Sequence, residues 1–300
     1  MCAEAIEKCT LCPRLCGADR SVSPGVCGVS GEGIMVARAS LHMWEEPCIS
    51  GERGSGTIFF SGCSLRCVYC QNEPISRGRA GKSVDEERLC EIMLSLQEKG
   101  AHNINMVTPT HYTDRIIRSV KMARDRGLCV PIVWNTSGYE RVGTLRSLRG
   151  IVDIYLTDFK YMSPDLAERY SKARDYPAVA SEALREMVSQ QGEIVTDEEG
   201  MLQRGVIVRH LVLPGCTQDS MDVIDHVYSS CGDSVILSIM SQYTPMETLG
   251  DYPELKRKIT EQEYEAVVDH AVSIGVENAF IQEGEAASES FIPPFDGEGV

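Results

Sequence analysis

GSGTIFFSGCSLRCVYCQN, residues 54–72, is the stretch that decides the fold and the chemistry of this chain. Residues 57–60 are a short β-branched and aromatic run, which predicts a strand that ends at the Ser-Gly pair following it. Cys63, Cys67 and Cys70 come directly afterwards. Three thiolates so close together at the end of a strand can bind three irons of a cubane iron–sulfur cluster and leave the fourth iron open for chemistry.

Two other interpretations of these cysteines remain open. Structural zinc is usually bound by four ligands in two well-separated knuckles, and disulfides need an oxidising compartment. A loop with three cysteines fits neither pattern well, and uncoordinated thiols are the remaining alternative. The spacing therefore favours the cluster.

Composition limits the classes of function. The chain has 300 residues, of which 43% are hydrophobic, a formal charge of −15 and 13 cysteines. We expect a soluble cytoplasmic protein, because the sequence shows neither a membrane-spanning apolar stretch nor a signal segment. The acidity argues against a nucleic-acid partner, and nothing in the sequence indicates a membrane partner. The cysteine content indicates a reducing compartment and bound metal.

Short apolar runs alternate with helix-like stretches, which predicts repeated βα units. Right-handed crossovers between parallel strands favour an α/β fold, a partial (β/α)6 TIM-like barrel whose active side lies at the carboxyl ends of the strands. A doubly wound sheet is the alternative. The predicted strands are 57–60, 103–107, 130–134, 152–157, 206–213 and 235–240, and the predicted helices include 84–98, 112–126, 182–190 with Ser181 as N-cap, and 261–274.

The chain divides into three predicted parts. Residues 1–50 form a small Cys-rich, metal-binding segment, residues 51–250 the partial barrel, and residues 251–300 a C-terminal helix with a flexible acidic tail. Within the barrel, residues 103–107 are unusually polar for a buried strand, which indicates a polar site in the interior.

The sequence resembles the radical S-adenosylmethionine (radical SAM) superfamily, whose C-x3-C-x2-C signature is matched by Cys63, Cys67 and Cys70. Within that superfamily it is similar to the activating enzymes of glycyl-radical enzymes, such as the pyruvate formate-lyase activating enzyme, and most of all to their PflX-type relatives. The stretches that carry the resemblance are TIFFSGCSLRCVYCQN, GAHNINMVTPTH, NTSGY, DIYLTDFKY, VIVRHLVLPG and SIMSQYTP, one at each predicted strand.

This resemblance implies a [4Fe–4S] cluster and S-adenosylmethionine as cofactors. It also implies reductive cleavage to a 5′-deoxyadenosyl radical that abstracts hydrogen, with a glycine of a partner glycyl-radical enzyme as one candidate donor and flavodoxin or ferredoxin as the reductant. Radical modification of a small molecule or another macromolecule is a second hypothesis. A non-catalytic iron–sulfur or zinc protein for electron transfer or scaffolding is the third, from a different class of function.

The resemblance also assigns residues to cofactor binding. It implies that Tyr69 lies against the adenine, or else only packs the loop. Asp158 and Lys160 point to one face of their strand and would contact S-adenosylmethionine, or else form an internal ion pair. Arg209 is expected to contact a carboxylate. Thr108 and Thr110 depart from the Gly-Gly-Glu motif that superfamily members usually carry after the second strand to bind the methionine amine, and their hydroxyls could replace its contacts. Further candidates follow the other strands: Asn135, Ser137 and Gln242.

A second group of cysteines lies near the N-terminus. Cys9, Cys12, Cys16 and Cys27 form the pattern C-x2-C-P-x-x-C followed by G-V-C-G. Four thiolates in such turns bind either zinc or a second [4Fe–4S] cluster, and their spacing does not separate the two. Zinc would only hold the segment together, whereas a second cluster would also conduct electrons. The pattern favours a metal with a structural role, since short segments with little apolar content need such a staple.

Overall fold

A mixed sheet forms the centre of the computed structural model, which describes residues 8–246, 248–282 and 292–300. The parallel strands are short and almost wholly buried, as expected for a sheet that is covered on both faces. The strands are β1 Ile34–His42, β2 Ser55–Phe60, β3 Lys82–Val84, β4 Ile104–Val107, β5 Ile132–Thr136, β6 Ile154–Asp158, β7 Val195–Thr196, β8 Leu202–Leu211, β9 Ile236–Met240 and β10 Ala279–Ile281.

The strand order confirms the predicted partial barrel. Along the sheet the order is β10-β9-β8-β6-β5-β4-β2-β1-β3, and the strands from β2 to β10 in this path pair in parallel. All six predicted strands are present, and β10 adds a seventh parallel strand. Because these strands run in one direction, the loops that follow them meet at one rim.

Helices connect the strands, and their ends follow local sequence signals. The side chain of Asp85 caps α3 by accepting from the Arg88 amide, and Thr260 with Glu263 forms a capping box on α9. The helices are α1 Pro47–Ser50, α2 Glu73–Ser76, α3 Glu86–Glu98, α4 Thr113–Asp125, α5 Val142–Ser147, α6 Pro164–Ser171, α7 Tyr176–Gln191, α8 Thr217–Cys231 and α9 Glu261–Ser273.

The predicted start of α7 is wrong. Ser181 does not cap the helix but lies inside it, where its hydroxyl donates to the Pro177 carbonyl at 2.7 Å. The helix begins earlier, at Tyr176, because a proline in the first turn loses no hydrogen bond there and has the backbone angle that a helix needs.

Two regions are more ordered than their composition predicted. β1 lies inside the Cys-rich part of the sequence, yet it pairs antiparallel with β2 as a member of the sheet. The tail at 292–300 is not loose: Gly297 donates to the Ala37 carbonyl at 3.0 Å, Ala39 donates to the Glu298 carbonyl at 2.9 Å, and Arg38 pairs with Asp296. The tail thus supplies hydrogen-bond partners for backbone groups of β1 that lie past the end of its pairing with β3. The rest of the predicted tail, 283–291, lies outside the described residues.

None of the helices in the described ranges is long and apolar enough to cross a membrane.

Candidate active site at the carboxyl ends of the parallel strands

A cavity of about 250 Å³ opens at the rim where the parallel strands end. Residues from the loops after six strands line it, so residues far apart in sequence meet there. The predicted site residues on its wall are Cys63, Cys67, Tyr69, Cys70, Thr108, Asn135, Ser137, Asp158, Lys160, Arg209 and Gln242.

The cysteine loop begins where β2 ends. Gly62 has a φ of +93°, and a side chain there would clash with the Cys27 carbonyl and Val29, so this turn requires glycine. Within the loop the Leu65 amide donates to the Cys63 sulfur at 3.4 Å. The Ser171 hydroxyl, from the end of α6, donates to the Cys67 sulfur at 3.1 Å. Sulfurs that accept such hydrogen bonds are suited to carry negative charge.

Burial makes ionisation of the thiols in this loop unfavourable. Burial raises the pKa of the Cys70 thiol to about 12, and the neighbouring Cys67 and Cys63 add to the shift. Burial and Cys67 also raise the pKa of Cys63. Metal ligands are deprotonated sulfurs, so the binding of metal would offset the free-energy cost of ionising these buried thiols.

The three cysteines of the loop line one cavity. Among the described residues, no three Cys, His, Asp or Glu side chains are grouped so that they could hold a single metal ion. A cubane does not need such a group, because each sulfur binds a different iron. The three sulfurs nevertheless face one cavity.

A chain of ion pairs crosses the cavity wall beside the cysteines. Asp158 is its centre: the Lys160 Nζ lies 2.7 Å from Oδ2 and the Arg209 Nε lies 3.0 Å from Oδ1. Although burial opposes ionisation, Lys160 and Arg209 hold the pKa of Asp158 below its usual value. Burial opposes the charge of Lys160 as well, yet Asp158 raises its pKa. Both side chains therefore stay charged.

Glu45 completes this chain of ion pairs, although no local sequence motif indicated it. It lies between β1 and α1, where its Oε2 accepts from Arg209 at 3.2 Å and its Oε1 accepts from Asn105 at 2.9 Å and from Asn135 at 3.3 Å. Burial raises its pKa, and Arg209 opposes the rise. The polar character of residues 103–107 was the available signal, because buried amides need partners.

Arg209 reaches the cavity as predicted, but its present partners belong to the protein. Besides Asp158 and Glu45, it donates to the Asn135 Oδ1 at 2.6 Å. The next residue, His210, points the other way and is buried against the Phe159 carbonyl at 2.7 Å. Because successive side chains of a strand point to opposite faces, only Arg209 of these two residues lines the cavity.

Tyr69 has two environments. Its ring lines the cavity, but only 5% of the residue is exposed and its hydroxyl shares a hydrogen bond of 2.6 Å with that of Tyr161. Tyr161, Tyr170 and Tyr243 contact the ring edge-on, with centroids 6.2 to 6.5 Å away. This aromatic cluster fixes the Tyr69 ring in place, so the packing role that the sequence left open is present alongside its position on the wall.

The loop after β4 separates its two predicted threonines. Thr108 lies on the cavity wall with a φ of +58°, an unusual conformation for a β-branched residue, and its amide donates to the Asn135 carbonyl. Thr110 does not line the cavity. Its hydroxyl donates to the buried Glu140 at 2.5 Å, because that carboxylate has to be satisfied away from solvent.

The remaining predicted residues connect loops around the rim. The Ser137 carbonyl accepts from the Tyr176 hydroxyl at 2.8 Å, which orders the turn after β5. The Gln242 carbonyl accepts from the Gln71 side chain at 3.0 Å. The loop after β9 is therefore attached to the residue that follows Cys70.

The N-terminal cysteines lie outside the cavity but next to its cysteine loop. The Cys63 amide donates to the Cys27 carbonyl at 3.1 Å. Arg14 donates to the carbonyls of Ser64 and Ser171, at 2.9 and 2.8 Å. The two groups of cysteines therefore share hydrogen bonds, although 36 positions separate Cys27 from Cys63 in the sequence.

Comparison with known proteins agrees with this geometry. The family model of the Radical SAM superfamily matches residues 57–225. A protein of Methanocaldococcus jannaschii, described as uncharacterized protein MJ0674, is 29% identical over 278 residues, which cover 88% of this chain and 74% of that protein.

Two solved structures share the fold. SuiB of Streptococcus suis, solved bound to S-adenosylmethionine, has a TM-score of 0.51 at 13% identity, over 75% of this chain and 49% of SuiB. Methylornithine synthase (PylB) has a TM-score of 0.50 at 15% identity, over 70% of this chain and 59% of that structure. The chain thus matches about half of the length of these structures.

Proposed function

The chain belongs to the Radical SAM superfamily, and from this premise we propose which of its residues hold the cofactors and what the radical acts on. Cys63, Cys67 and Cys70 hold the [4Fe–4S] cluster. When bound, the cluster supplies one electron for the cleavage of S-adenosylmethionine to methionine and a 5′-deoxyadenosyl radical. The protein contributes binding, orientation and the exclusion of side reactions.

The observation that carries the proposal is the convergence of Lys160 and the cysteines on one cavity. Lys160 lines the same cavity as Cys63 and Cys67, where its charge opposes the burial-driven rise in the pKa of Cys63. A carboxylate that pairs with the Lys160 ammonium would lie in the same cavity as the three cysteines that would hold the cluster. In our proposal, Lys160 binds the carboxylate of the methionine moiety.

The other wall residues have matching roles. Asp158 keeps Lys160 and Arg209 in place and accepts from the amine or a ribose hydroxyl of the cofactor. Asn135, Ser137 and Thr108 offer further polar groups at the same rim, and Tyr69 offers an aromatic face for the adenine. Gln242 closes the rim through its link to Gln71.

The first candidate hydrogen donor is a glycine of a partner glycyl-radical enzyme. The support is the resemblance of all six strand-end motifs to the activating enzymes, with PflX-type proteins as the nearest pattern. In this reaction the radical takes one hydrogen atom from the glycine Cα and becomes 5′-deoxyadenosine. Flavodoxin or ferredoxin supplies the electron.

A polar small molecule is the second candidate, and Glu45 favours it. This carboxylate is buried on the cavity wall together with Asn135 and Arg209. Such a group can recognise an amine or hydroxyl deep in a pocket, where an unpaired polar group would be costly. Ile292 and Pro293 of the C-terminal tail also line the cavity.

The test is anaerobic reconstitution with iron and sulfide, reduction with dithionite and an assay for 5′-deoxyadenosine with S-adenosylmethionine. The probe for the first candidate is a glycyl-radical enzyme whose glycine carries deuterium at Cα. Deuterium in the 5′-deoxyadenosine and a glycyl-radical EPR signal support that donor.

The outcomes separate the proposals. 5′-Deoxyadenosine without deuterium overturns the glycine donor and leaves the small molecule. No 5′-deoxyadenosine from an enzyme with an intact, reduced cluster, with or without the partner, contradicts the assignment of the cavity as the cleavage site.

A further inference from the structure

We infer that the side of the cavity formed by β1 and the tail is a substrate compartment, and that it takes a small molecule with an apolar body and an amine. This assignment rests on the proposed function, in which the same cavity binds S-adenosylmethionine. It names the chemical class of the second candidate, the polar small molecule.

The cavity wall comes from two parts of the fold. The residues proposed for the cofactors lie on the parallel strands, on the loops that follow them, or on the cavity loop, which carries Cys63, Cys67 and Cys70. β1 is not one of these strands, because it pairs antiparallel with β2. β1 and its connection to α1, the neighbouring residue on β2 and the tail add wall residues that have no proposed cofactor role: His42, Trp44, Glu45, Phe59, Ile292 and Pro293.

Most of this compartment is apolar or aromatic. The Phe59 ring contacts His42 edge-on, with centroids 5.9 Å apart, and also Phe295 of the tail, at 5.6 Å. Burial lowers the pKa of His42, so its imidazole is neutral at pH 7 and adds no charge. Trp44 lines the cavity while more than half of it stays exposed. The apolar part of a ligand gains free energy by burial against such a surface.

Glu45 is the polar group of the compartment and lies at its floor. One of its partners, Asn105, belongs to β4 and does not line the cavity, so the carboxylate lies between that amide and the open space. Its oxygens accept from Asn105, Asn135 and Arg209. A carboxylate has about four acceptor positions, which leaves one for a donor that enters the cavity.

The charges around Glu45 favour a cation as that donor. Glu46, the next residue, is a second buried carboxylate, and one of its oxygens has no hydrogen-bond partner among the described residues. Burial raises the pKa of both glutamates, and the Arg209 guanidinium that opposes the rise is shared with Asp158. An ammonium group beside Glu45 would supply positive charge where the protein provides too little, because buried carboxylates need a partner to stay ionised.

The tail is a fixed part of the compartment wall. Besides the backbone hydrogen bonds to β1, the Pro294 carbonyl accepts from Arg38 at 3.0 Å. Gly299 has a φ of +75°, and a Cβ there would lie 2.1 Å from the Ala39 carbonyl oxygen, so this close approach requires glycine. We therefore expect substitution at Gly299 to displace the tail, although Gly299 itself does not line the cavity.

Two probes of equal chain length and opposite charge test the compartment: n-pentylamine and pentanoate. Isothermal titration calorimetry measures their binding to the reconstituted enzyme with S-adenosylmethionine and an oxidised cluster, so that no cleavage takes place. We expect n-pentylamine to bind at least tenfold more tightly than pentanoate. Equal affinities, tighter binding of pentanoate, or no measurable binding of either probe overturns the inference.

Glu45→Gln tests the polar end of the compartment. The substitution keeps the shape of the side chain and removes its charge, so we expect the affinity for n-pentylamine to fall about tenfold while that for pentanoate does not fall. Asp158 still pairs with Arg209, and the thermal unfolding temperature establishes that the variant is folded. Glu198→Gln, at an exposed carboxylate, is the matched control. A preference for the amine that persists in Glu45→Gln overturns the inference.

Gly299→Ala tests the apolar wall, with Gly200→Ala as its control. Gly200 also has a positive φ, of +79°, but a Cβ there meets no atom within 4 Å. We expect Gly299→Ala to speed hydrogen exchange at the Ala39 amide, which donates to Glu298, and to weaken both probes by about threefold. Ile292→Ala changes the wall directly and should weaken both probes as well. Unchanged affinities in these two variants overturn the part of the tail in the compartment.

Failure of the proposed function gives a different result. Probes that bind as expected to an enzyme that forms no 5′-deoxyadenosine with an intact, reduced cluster would uphold the amine site and contradict the cleavage site. Formation of 5′-deoxyadenosine without binding of the probes would uphold the cleavage site and overturn the amine compartment.

Discussion

The two groups of cysteines differ in what holds them. The cavity loop follows β2, a strand whose six residues are all buried, and the sheet fixes its position before any metal binds. Residues 8–33, the cysteine segment, have only turns. They contact the barrel through hydrogen bonds from a few side chains and amides and through the buried side chains of Cys27 and Val29. A short segment with little apolar content depends on its metal for structure. We therefore expect the sheet to position the cavity loop, whereas the cysteine segment would depend more on a bound metal for its structure.

The largest effect is expected in the cavity loop. Cys63→Ala removes one cluster ligand, and we expect S-adenosylmethionine cleavage to fall by a factor of ~1000 or more, because the reaction depends on the cluster. The fold should remain, since the strand before the loop does not depend on the metal. The measurement is 5′-deoxyadenosine formation together with the thermal unfolding temperature. A Cys63→Ala variant that retains activity would contradict the role of Cys63 as a cluster ligand.

Glu140 lies between the barrel and the cysteine segment, and we expect the second largest effect from its ionisation, on the free energy of unfolding. It accepts from the hydroxyls of Thr110 and Thr136, both at 2.5 Å, and acts electrostatically on Cys12. Burial raises its pKa from 4.5 to about 7. The unfolded chain therefore ionises first as the pH rises, and the free energy of unfolding decreases between pH 4.5 and 7 by an amount on the order of 3 kcal/mol.

Glu140→Gln should remove that part of the pH dependence. Below pH 4.5 the carboxyl is neutral in both states, so the variant gains stability relative to the wild type as the pH rises from 4.5 to about 7, and the gain is constant above that range. Urea unfolding from pH 4.5 to 8 measures this, with the exposed Glu198→Gln as the control. Parallel profiles for Glu140→Gln and the wild type would contradict the raised pKa.

Lys160 tests the chemistry of the cavity wall with a smaller effect. Lys160→Met leaves Asp158 paired with Arg209, so the fold should survive, but the cofactor carboxylate loses its partner. We expect KM for S-adenosylmethionine to rise about tenfold to hundredfold, the loss of a charged hydrogen bond of ~1.5–3 kcal/mol. The matched control is Arg174→Met, a surface pair with Asp165 whose side chains are 66% and 81% exposed. Equal KM values for the two variants would show that Lys160 does not bind S-adenosylmethionine.

The smallest effect on the barrel is expected from the cysteine segment. Cys12→Ser with Cys27→Ser should lower the unfolding temperature by only a few degrees, roughly 2–4 °C for a loss of about 1 kcal/mol. Protease cleavage within residues 8–33 should nevertheless become fast, since the segment loses its staple. Mass spectrometry of the fragments locates the cut. Cleavage inside the sheet instead would mean that the barrel also depends on this metal.

The sequence was sufficient for the elements whose pattern is local. Six parallel strands, the cysteine loop and the helices α3 and α9 follow from apolar runs and ligand spacing, which act between near neighbours. The start of α7 was missed, because proline in the first turn and a serine inside the helix give competing signals.

The sequence by itself determined that this chain is a radical SAM protein of βα units, since the cysteine spacing and strand-end motifs are written in short stretches. Only the tertiary structure decided that Arg209 pairs with both Glu45 and Asp158. It also decided that the Thr110 hydroxyl donates to Glu140 instead of lining the cavity, and that the tail at 292–300 lies along β1. The tertiary structure alone also brought the Cys27 carbonyl within hydrogen-bond distance of the Cys63 amide. The physical reason is that these contacts join residues from separate strands and loops, and buried polar groups take their partners from whichever elements the sheet brings together.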